Sequence, residues 1–438
     1  MGGIDHTPEI ETALVVHPVF TNVPTLERGD IDQAIEEACG LVEAINLEVC
    51  ESLQVNVSRI NPGHLFGKGT RDNIDAAIKV HKPNIVMVNY TLSPVQQRNL
   101  EKQFKVKIID RTGLILEIFG ARAQTKEGRI QVELAQLEYQ KSRLVKAWSH
   151  LERQRGGTSF VGGPGESQIE IDRRLIAGRI SNLKKELIKV RKTRELGRKA
   201  RERIPFPVVA LVGYTNAGKS TLFNRITGAN VFAQDLLFAT LDPTLRRIKL
   251  PSGRDVILSD TVGFISDLPT HLIEAFRATL DQTQHADIIL HVRDSTQTDY
   301  DAHKQDVINI MRDLGIEYET DERIFEIINK IDICDEDRRD EILRDAKFHD
   351  NIIPISAQTG EGVETLLSIV DDFLSRHSKS VTYALSLSDG KALAWLYQHG
   401  EVIEAKEHAD ANHILVHIDE ANQNRFEGLF AYAPKHEP

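Results

Sequence analysis

The sequence predicts an α/β protein of several domains, from three observations. Apolar β-rich runs alternate with helical patterns over residues 11 to 119. Two helical segments with heptad spacing follow, separated by a glycine-rich stretch. At the centre stands Gly213-Tyr214-Thr215-Asn216-Ala217-Gly218-Lys219-Ser220, after the buried-strand run Pro207 to Val212 and before the helical pattern Thr221-Leu222-Phe223-Asn224-Arg225. This is a G-x-x-x-x-G-K-[ST] match in the strand, loop and helix context that the motif needs before it signifies phosphate binding.

At 438 residues the chain is long for one core, and roughly two to four domains are expected. A hydrophobic share of 41% and a charged share of 27% describe an ordinary globular protein. No apolar run approaches the ~18 residues of a transmembrane helix. The start, Met1-Gly2-Gly3-Ile4-Asp5-His6, lacks a basic region followed by an apolar one, so secretion is not expected. Cys39, Cys50 and Cys334 have no C-x-x-C spacing and point to a reducing compartment, the cytoplasm. The net charge of −11 is unevenly spread: residues 172 to 203 carry 13 Lys and Arg against 4 Asp and Glu, a local +9 that leaves −20 on the rest. Such a stripe on an acidic protein suits contact with a polyanion.

Taken in order, residues 1–119 form the first domain. Strands are expected at Ala13 to His17, Leu53 to Ile60, Asn84 to Tyr90 and Val106 to Ile109, with helices at Ile31 to Ala44, Arg71 to Val80 and Ser93 to Phe104. The alternation predicts a small α/β domain with a largely parallel sheet. Gly63-His64-Leu65-Phe66-Gly67-Lys68-Gly69-Thr70 reads as a loop and helix cap, with phosphate holding as the alternative. Residues 120–203 form the second. Ile130, Leu134, Leu137, Lys141, Leu144, Trp148 and Leu151 keep a 4, 3 rhythm, as do Ile176, Ile180, Leu183, Leu187 and Val190. These spacings predict two heptad helices, an antiparallel arm tipped by the glycine-rich stretch Gly156 to Glu166. A solvated coiled coil, basic only for solubility, is the bland alternative. Residues 204–378 carry the central loop. Residues 379–438 read as a small α+β domain, with strands at Val381 to Leu387, Glu401 to Lys406 and His413 to Ile418 and a helix at Lys391 to His399. Its His408, His413 and His417 read as surface histidines rather than metal ligands.

Four further elements follow the central loop. Gly213 and Gly218 let it turn its N–H groups inward, with the positive end of the helix behind them. Gly213, Tyr214, Thr215, Asn216, Ala217, Gly218, Lys219, Ser220 and Thr221 are thus expected to hold the phosphates of a nucleotide, Lys219 bridging β- and γ-phosphate and the Ser220 hydroxyl binding Mg²⁺. The strand Val256 to Ser259 ends in Asp260-Thr261-Val262-Gly263, where Asp260 would hold Mg²⁺ through water and the Gly263 N–H would sense a γ-phosphate. After a buried strand comes Asn329-Lys330-Ile331-Asp332, whose Asp332 carboxylate accepts only, and so matches the N1 and N2 donors of guanine. Adenine would leave it unpaired. Asn329 and the stem of Lys330 support the base, and the backbone of Ser356-Ala357-Gln358 meets guanine O6. The first-switch Mg²⁺ ligand is Thr240, with Thr244 as runner-up. These elements predict a GTPase, with Lys219, Thr240, Gly263 and Asn216 the expected catalytic residues and a P-loop GTPase domain its centre.

Phe264 follows Gly263 where Ras-type enzymes orient water with Gln, and it has no hydrogen-bonding group. Slow intrinsic turnover, raised by a partner, is one expectation; simple packing of Phe264 is the other. The loop form G-x-x-N-x-G-K-[ST] resembles that of a group of GTPases in which this Asn, here Asn216, helps hold K⁺. A loop-capping role is the alternative.

With these residues in place, the chain resembles the HflX family of ribosome-associated GTPases, related to translation factors. The resemblance runs from about residue 13 through the GTPase domain. It rests on the nucleotide motifs and on Ser93-Pro94-Val95-Gln96-Gln97-Arg98-Asn99-Leu100-Glu101, Ile109-Asp110-Arg111-Thr112-Gly113-Leu114-Ile115-Leu116, Gln131-Val132-Glu133-Leu134-Ala135-Gln136-Leu137 and Gly163-Pro164-Gly165-Glu166. It implies an N-terminal domain and arm that dock on the large ribosomal subunit, the tip reaching toward its RNA, and a role in splitting or rescuing 70S ribosomes under stress. It also links ATP to the N-terminal domain, here at Gly63 to Thr70. No role is carried to the last 60 residues. Two competing functions stand beside it. One is a GTPase adaptor for tRNA-modification enzymes or peripheral to a membrane, with the arm as a protein–protein coiled coil. The other is a dual nucleotidase with an ATP-driven RNA-remodelling N-terminal domain. The chain is expected to be mainly monomeric, although heptads can pair within or between chains.

Overall fold

The computed structural model describes residues 11–22, 30–154, 168–201, 206–228, 237–238, 244–261, 263–265, 283–297, 300–376, 378–408 and 410–434. The arm's glycine-rich tip, Thr240 and Val262 lie outside them.

The N-terminal part alternates β1 (Thr12–Phe20), α1 (Ile31–Glu43), β2 (Glu48–Val57), α2 (Lys68–His81), β3 (Ile85–Val88), α3 (Pro94–Phe104), β4 (Lys107–Asp110) and α4 (Arg111–Arg122). The four strands are parallel, in the order β2-β1-β3-β4. A parallel sheet is covered on both faces, which is why Ala13-Leu14-Val15-Val16 is an unbroken apolar run. Ala13 and Val15 face the core under α1 and α4, whereas Leu14 and Val16 face the one under α2 and α3. Helix α3 starts at a full capping box, Ser93 with Gln96, with Pro94 at its first position.

Two expectations are corrected here. The second strand runs from Glu48 to Val57, not from Leu53 to Ile60, because Asn61 and Leu65 already close a turn. Helix α4, absent from the expected alternation, follows β4 with no connecting loop. Asp110 caps it by accepting from the Gly113 N–H, and Leu114, Ile115, Leu116, Ile118 and Phe119 are all buried.

Helices α5 (Lys126–Gln154) and α6 (Gln168–Arg201) form the arm. Among the described residues, Ile130, Leu183 and Leu187 form a buried cluster in it, with Leu134, Leu137 and Val190 packed against them. Lys126–Glu186 and Glu133–Arg179, at 3.0 and 2.8 Å, tie the helices antiparallel. The root of α5 belongs to the N-terminal core through Val132 and Ala135. There Asp110 also accepts from Tyr139 at 2.5 Å and pairs with Arg143 at 2.7 Å.

The central part contains β5 (Val208–Val212), α7 (Lys219–Thr227), β6 (Thr244–Lys249), β7 (Asp255–Asp260), β8 (Ile288–Asp294), α8 (Tyr300–Asp313), β9 (Ile324–Asn329), α9 (Glu336–Phe348), β10 (Ile352–Pro354) and α10 (Val363–Arg376). Its six-stranded sheet has the order β10-β9-β8-β5-β7-β6, with β6 antiparallel at the edge and the other strands parallel. The C-terminal part is an antiparallel sheet, β11 (Ser378–Leu385), β13 (Asn412–Asp419) and β12 (Glu401–Glu407) in that order, with α11 (Gly390–His399) and α12 (Glu420–Phe430). Tyr383 and Phe426 centre its separate core. Helix α12 was not foreseen in the pattern.

One hydrophobic cluster crosses from the N-terminal part into the central one, uniting Leu41 and Phe119 with Tyr214, Leu237, Phe238 and Phe264. The Phe238 ring meets Phe119 edge-on at 4.7 Å. Among the described residues, no helix is long and apolar enough to cross a membrane.

Candidate active site

Strand β5 delivers the chain into the loop Gly213 to Gly218, and α7 leaves it at Lys219. The loop's glycines are steric necessities. A Cβ on Gly213, whose φ is +146°, would come within 2.1 Å of the Val292 carbonyl oxygen. One on Gly218, with φ +92°, would come equally close to Asn329 Nδ2. Asn216 adopts φ +60°, a left-handed conformation that Asn tolerates, and is exposed.

Lys219 is buried, and its Nζ donates to the carbonyl oxygens of Gly213 at 3.0 Å and Tyr214 at 2.6 Å. An ammonium has three donors, so one is left for a phosphate oxygen. Burial pushes its pKa down to about 8, against the pull of the Asp260 carboxylate. Asp260 ends β7, fully buried, and accepts from the Ser220 hydroxyl at 2.8 Å. These are two hard oxygen ligands at one place, a donor set that fits Mg²⁺.

Gly263 and Phe264 lie directly on the loop. Phe264 N donates to Gly213 O at 3.1 Å, and Thr215 N donates to Phe264 O at 2.7 Å. A Cβ on Gly263 would lie 2.9 Å from Thr215 Cγ2 and 3.1 Å from Lys219 Nζ. The Phe264 side chain is buried in the shared cluster, so it packs. Thr261 turns its hydroxyl away, donating to Leu211 O at 2.5 Å, so its side chain serves the sheet. Thr244 opens β6 and pairs in register with Asp260.

At the far end, Asn329 ties two loops together. Its Nδ2 donates to Ala217 O at 2.8 Å, and its Oδ1 accepts from Ala357 N at 2.9 Å. Lys330, at φ +67°, pairs with Asp294 at 2.7 Å. Asp332 stands exposed beyond them. The Ser356 hydroxyl is buried and accepts from Thr359 N at 3.0 Å, which shapes the turn. Arg225 of α7 donates to the carbonyls of Ala357 and Gln358, fastening that turn to the phosphate side. The sequence-predicted residues that are described therefore converge on one end of the sheet, at the carboxyl ends of β5, β7 and β9.

Elsewhere, Asn61 Oδ1 accepts from Gly63 N and His64 N, and Gly67 caps α2 without a side-chain bond. This is the geometry of a loop and cap. His417 meets Ser380 Oγ at 2.9 Å, and the His408 and His413 rings lie 4.7 Å apart.

Sequence reasoning missed three contacts at the site: Arg225 on the base-side turn, Asp294 on Lys330, and Glu37 of α1. Glu37 accepts from the Tyr214 hydroxyl at 2.5 Å. Glu37 and Tyr214 are 177 residues apart, and no local pattern announces such a pair.

Comparison with known proteins agrees with this geometry. Residues 32–120 match the family description "GTP-binding GTPase N-terminal", residues 122–201 "GTP-binding GTPase Middle Region", residues 208–330 "50S ribosome-binding GTPase" and residues 341–437 "HflX C-terminal domain". The GTPase HflX of Magnetococcus marinus is 45% identical over 405 residues, 92% of each chain. That of Escherichia coli is 42% identical over 388 residues, 89% of this chain and 88% of the relative. In fold, the chain is similar to a crystal structure of an SsGBP and GDP complex, with a TM-score of 0.51, 24% identity, and coverage of 84% of this chain and 99% of the other. Family matches over most of the chain, and relatives of this identity over nearly its whole length, make it a member of the HflX family of GTP-binding GTPases.

Proposed function

We propose that the chain is a GTP-switched factor of the large ribosomal subunit, acting in the cytoplasm in ribosome splitting, rescue or recycling under stress. The observation that carries this reading is the arm. A thin two-helix hairpin bears a local +9 on a chain of net charge −11, and it is rooted in the same core that holds Phe238, in the first switch region, and Phe264, in the second. A basic stripe along a two-helix hairpin suits rRNA phosphates. A switch that shares one core with the arm's base would give the γ-phosphate a route to it.

In this reading the backbone of Gly213 to Ser220 and Thr221 cradles the phosphates, and Lys219 and the Gly263 N–H stabilise the transferring γ-phosphoryl. Ser220, Thr240 and, through water, Asp260 would hold Mg²⁺, which would supply neutralisation of the phosphate charge. Asp332 reads guanine, with Asn329, Lys330, Ser356, Ala357 and Gln358 fixing its pocket. Asn216 helps hold K⁺. Phe264 offers nothing to orient water, so turnover is slow until the ribosome orders the switches.

The test is GTP hydrolysis with and without purified 50S subunits, in K⁺ and in Na⁺, for the intact chain and one lacking residues 156–166. Stimulation by 50S that weakens without the tip is expected, as is faster turnover in K⁺. Normal guanine-nucleotide binding without stimulation would move the partner elsewhere and favour an adaptor.

A further inference from the structure

We propose that Glu37, on the first helix of the N-terminal domain, is a positioning residue of the nucleotide site and acts on Lys219 through Tyr214. Tyr214 is the hinge of this arrangement. Its carbonyl takes the shorter of the two bonds from Lys219 Nζ, at 2.6 Å. Its backbone pairs with Phe264 in a parallel bridge. Its ring is clamped from both sides: it stacks on His303 of α8 at 3.8 Å and 14°, and its hydroxyl donates to Glu37 at 2.5 Å. The position of the residue that anchors the lysine is thus set by one helix of its own domain and one of another.

Glu37 is itself held rigidly. Its other carboxylate oxygen pairs with the buried guanidinium of Arg111. Arg111 also donates to Asn89 Oδ1 at 2.8 Å, and the Asn89 amide donates to Ala34 O at 3.2 Å and meets His17 Nδ1 at 3.0 Å. This network ties α1 to β1, to α4 and to Asn89 just after β3, so a shift of Glu37 is transmitted to the N-terminal sheet. A hydrogen bond to a carboxylate is among the stronger kinds, and this one is part-buried. Its loss would free the first turn of the loop and loosen the bond that aims Lys219 at the phosphates. Linkage makes the effect reciprocal: what the loop binds must be felt at Glu37.

The inference rests on nucleotide binding by the loop, and its test uses no ribosome, so it fails separately from the ribosomal reading. Release of a fluorescent GDP analogue is timed from the full-length protein and from Tyr214→Phe, Glu37→Ala, Glu37→Gln and the double variant Tyr214→Phe/Glu37→Ala. Tyr214→Phe keeps the ring on His303 and removes only the hydroxyl, so its melting temperature should stay near that of the parent while release quickens roughly fivefold. Glu37→Ala should do the same to release, and the double variant should be no faster than either single one. Glu37→Gln leaves one acceptor oxygen for the two donors Tyr214 and Arg111, so its release rate should lie between those of the parent and Glu37→Ala. Unchanged release in Tyr214→Phe would overturn the proposal, whether or not Glu37→Ala folds. So would single effects that multiply in the double variant.

Discussion

Asn329 joins the phosphate side of the site to its base side through a single amide, because Ala217 O and Ala357 N are both its partners. Replacing it with Ala leaves a buried N–H unsatisfied, at a cost of about 1–3 kcal/mol. Asn329→Ala should therefore weaken GDP binding at least tenfold in a calorimetric titration and lower the melting temperature as well. Gly218→Ala strikes the same contact from the other side, since the new Cβ would collide with Asn329 Nδ2 in a backbone conformation that L residues rarely adopt. It should abolish measurable GDP binding while the fold persists by circular dichroism. A different residue-scale effect comes from His291, fully buried under α8 beside the Tyr318 hydroxyl at 2.6 Å. Burial, helped by Arg293, pushes its pKa down to about 3. The folded protein keeps it neutral while the unfolded chain protonates it below about 6.5, so the unfolded state binds more protons in the window from 6.5 down to 3. Stability should fall there by about 1.4 kcal/mol per pH unit. His291→Gln should flatten part of that slope in urea titrations between pH 6 and pH 4, and an unchanged slope would exclude His291 as its source.

At the scale of elements, the described half of the arm is held by a small apolar cluster. Leu183 is 1% exposed and, among the described residues, clusters with the buried Ile130 and Leu187. Leu183→Ala should cost about 2–4 kcal/mol locally. The loss should appear as faster hydrogen exchange across 126–143 and 171–190, with little change in the nucleotide domain's sheet. The heptads made this element legible, because its 4, 3 spacing does not depend on the rest of the fold. Helix α4 was hidden for the opposite reason. Buried on nearly every side, it has no polar face to mark a helical period, and Leu114-Ile115-Leu116 carries no helix signature of its own. The nucleotide motifs were readable because each combines a strand end with a turn whose chemistry is local. The clamps of Arg225, Asp294 and Glu37 were not, since each comes from a residue that only the tertiary fold brings near. Thr261 and Ser356 illustrate a subtler limit: the motif gave their positions, but not that their hydroxyls turn inward to shape the backbone.

For the whole molecule, the cluster running from Leu41 and Phe119 to Phe238 and Phe264 gives the N-terminal and central parts a shared core, which predicts that they open together. A ligand at 100 times its Kd stabilises what it binds by about 2.7 kcal/mol. With GDP at that level, amides of β1 and α4 should gain hydrogen-exchange protection comparable to those of β5 and β8, while the C-terminal sheet, with its own core, should gain less. Protection confined to the central sheet would mean that the two parts open independently. The shared cluster also bears on how such a chain can vary over time. Leu237 already presses to 3.3 Å of a side chain built at Gly40, so a substitution on either side of the seam must find its match on the other. A chimera that takes residues 1–203 from one relative and the remainder from another would then fold poorly unless both sides of the seam travel together. Descent should record the two halves as inherited in concert, whereas the C-terminal module is free to be exchanged.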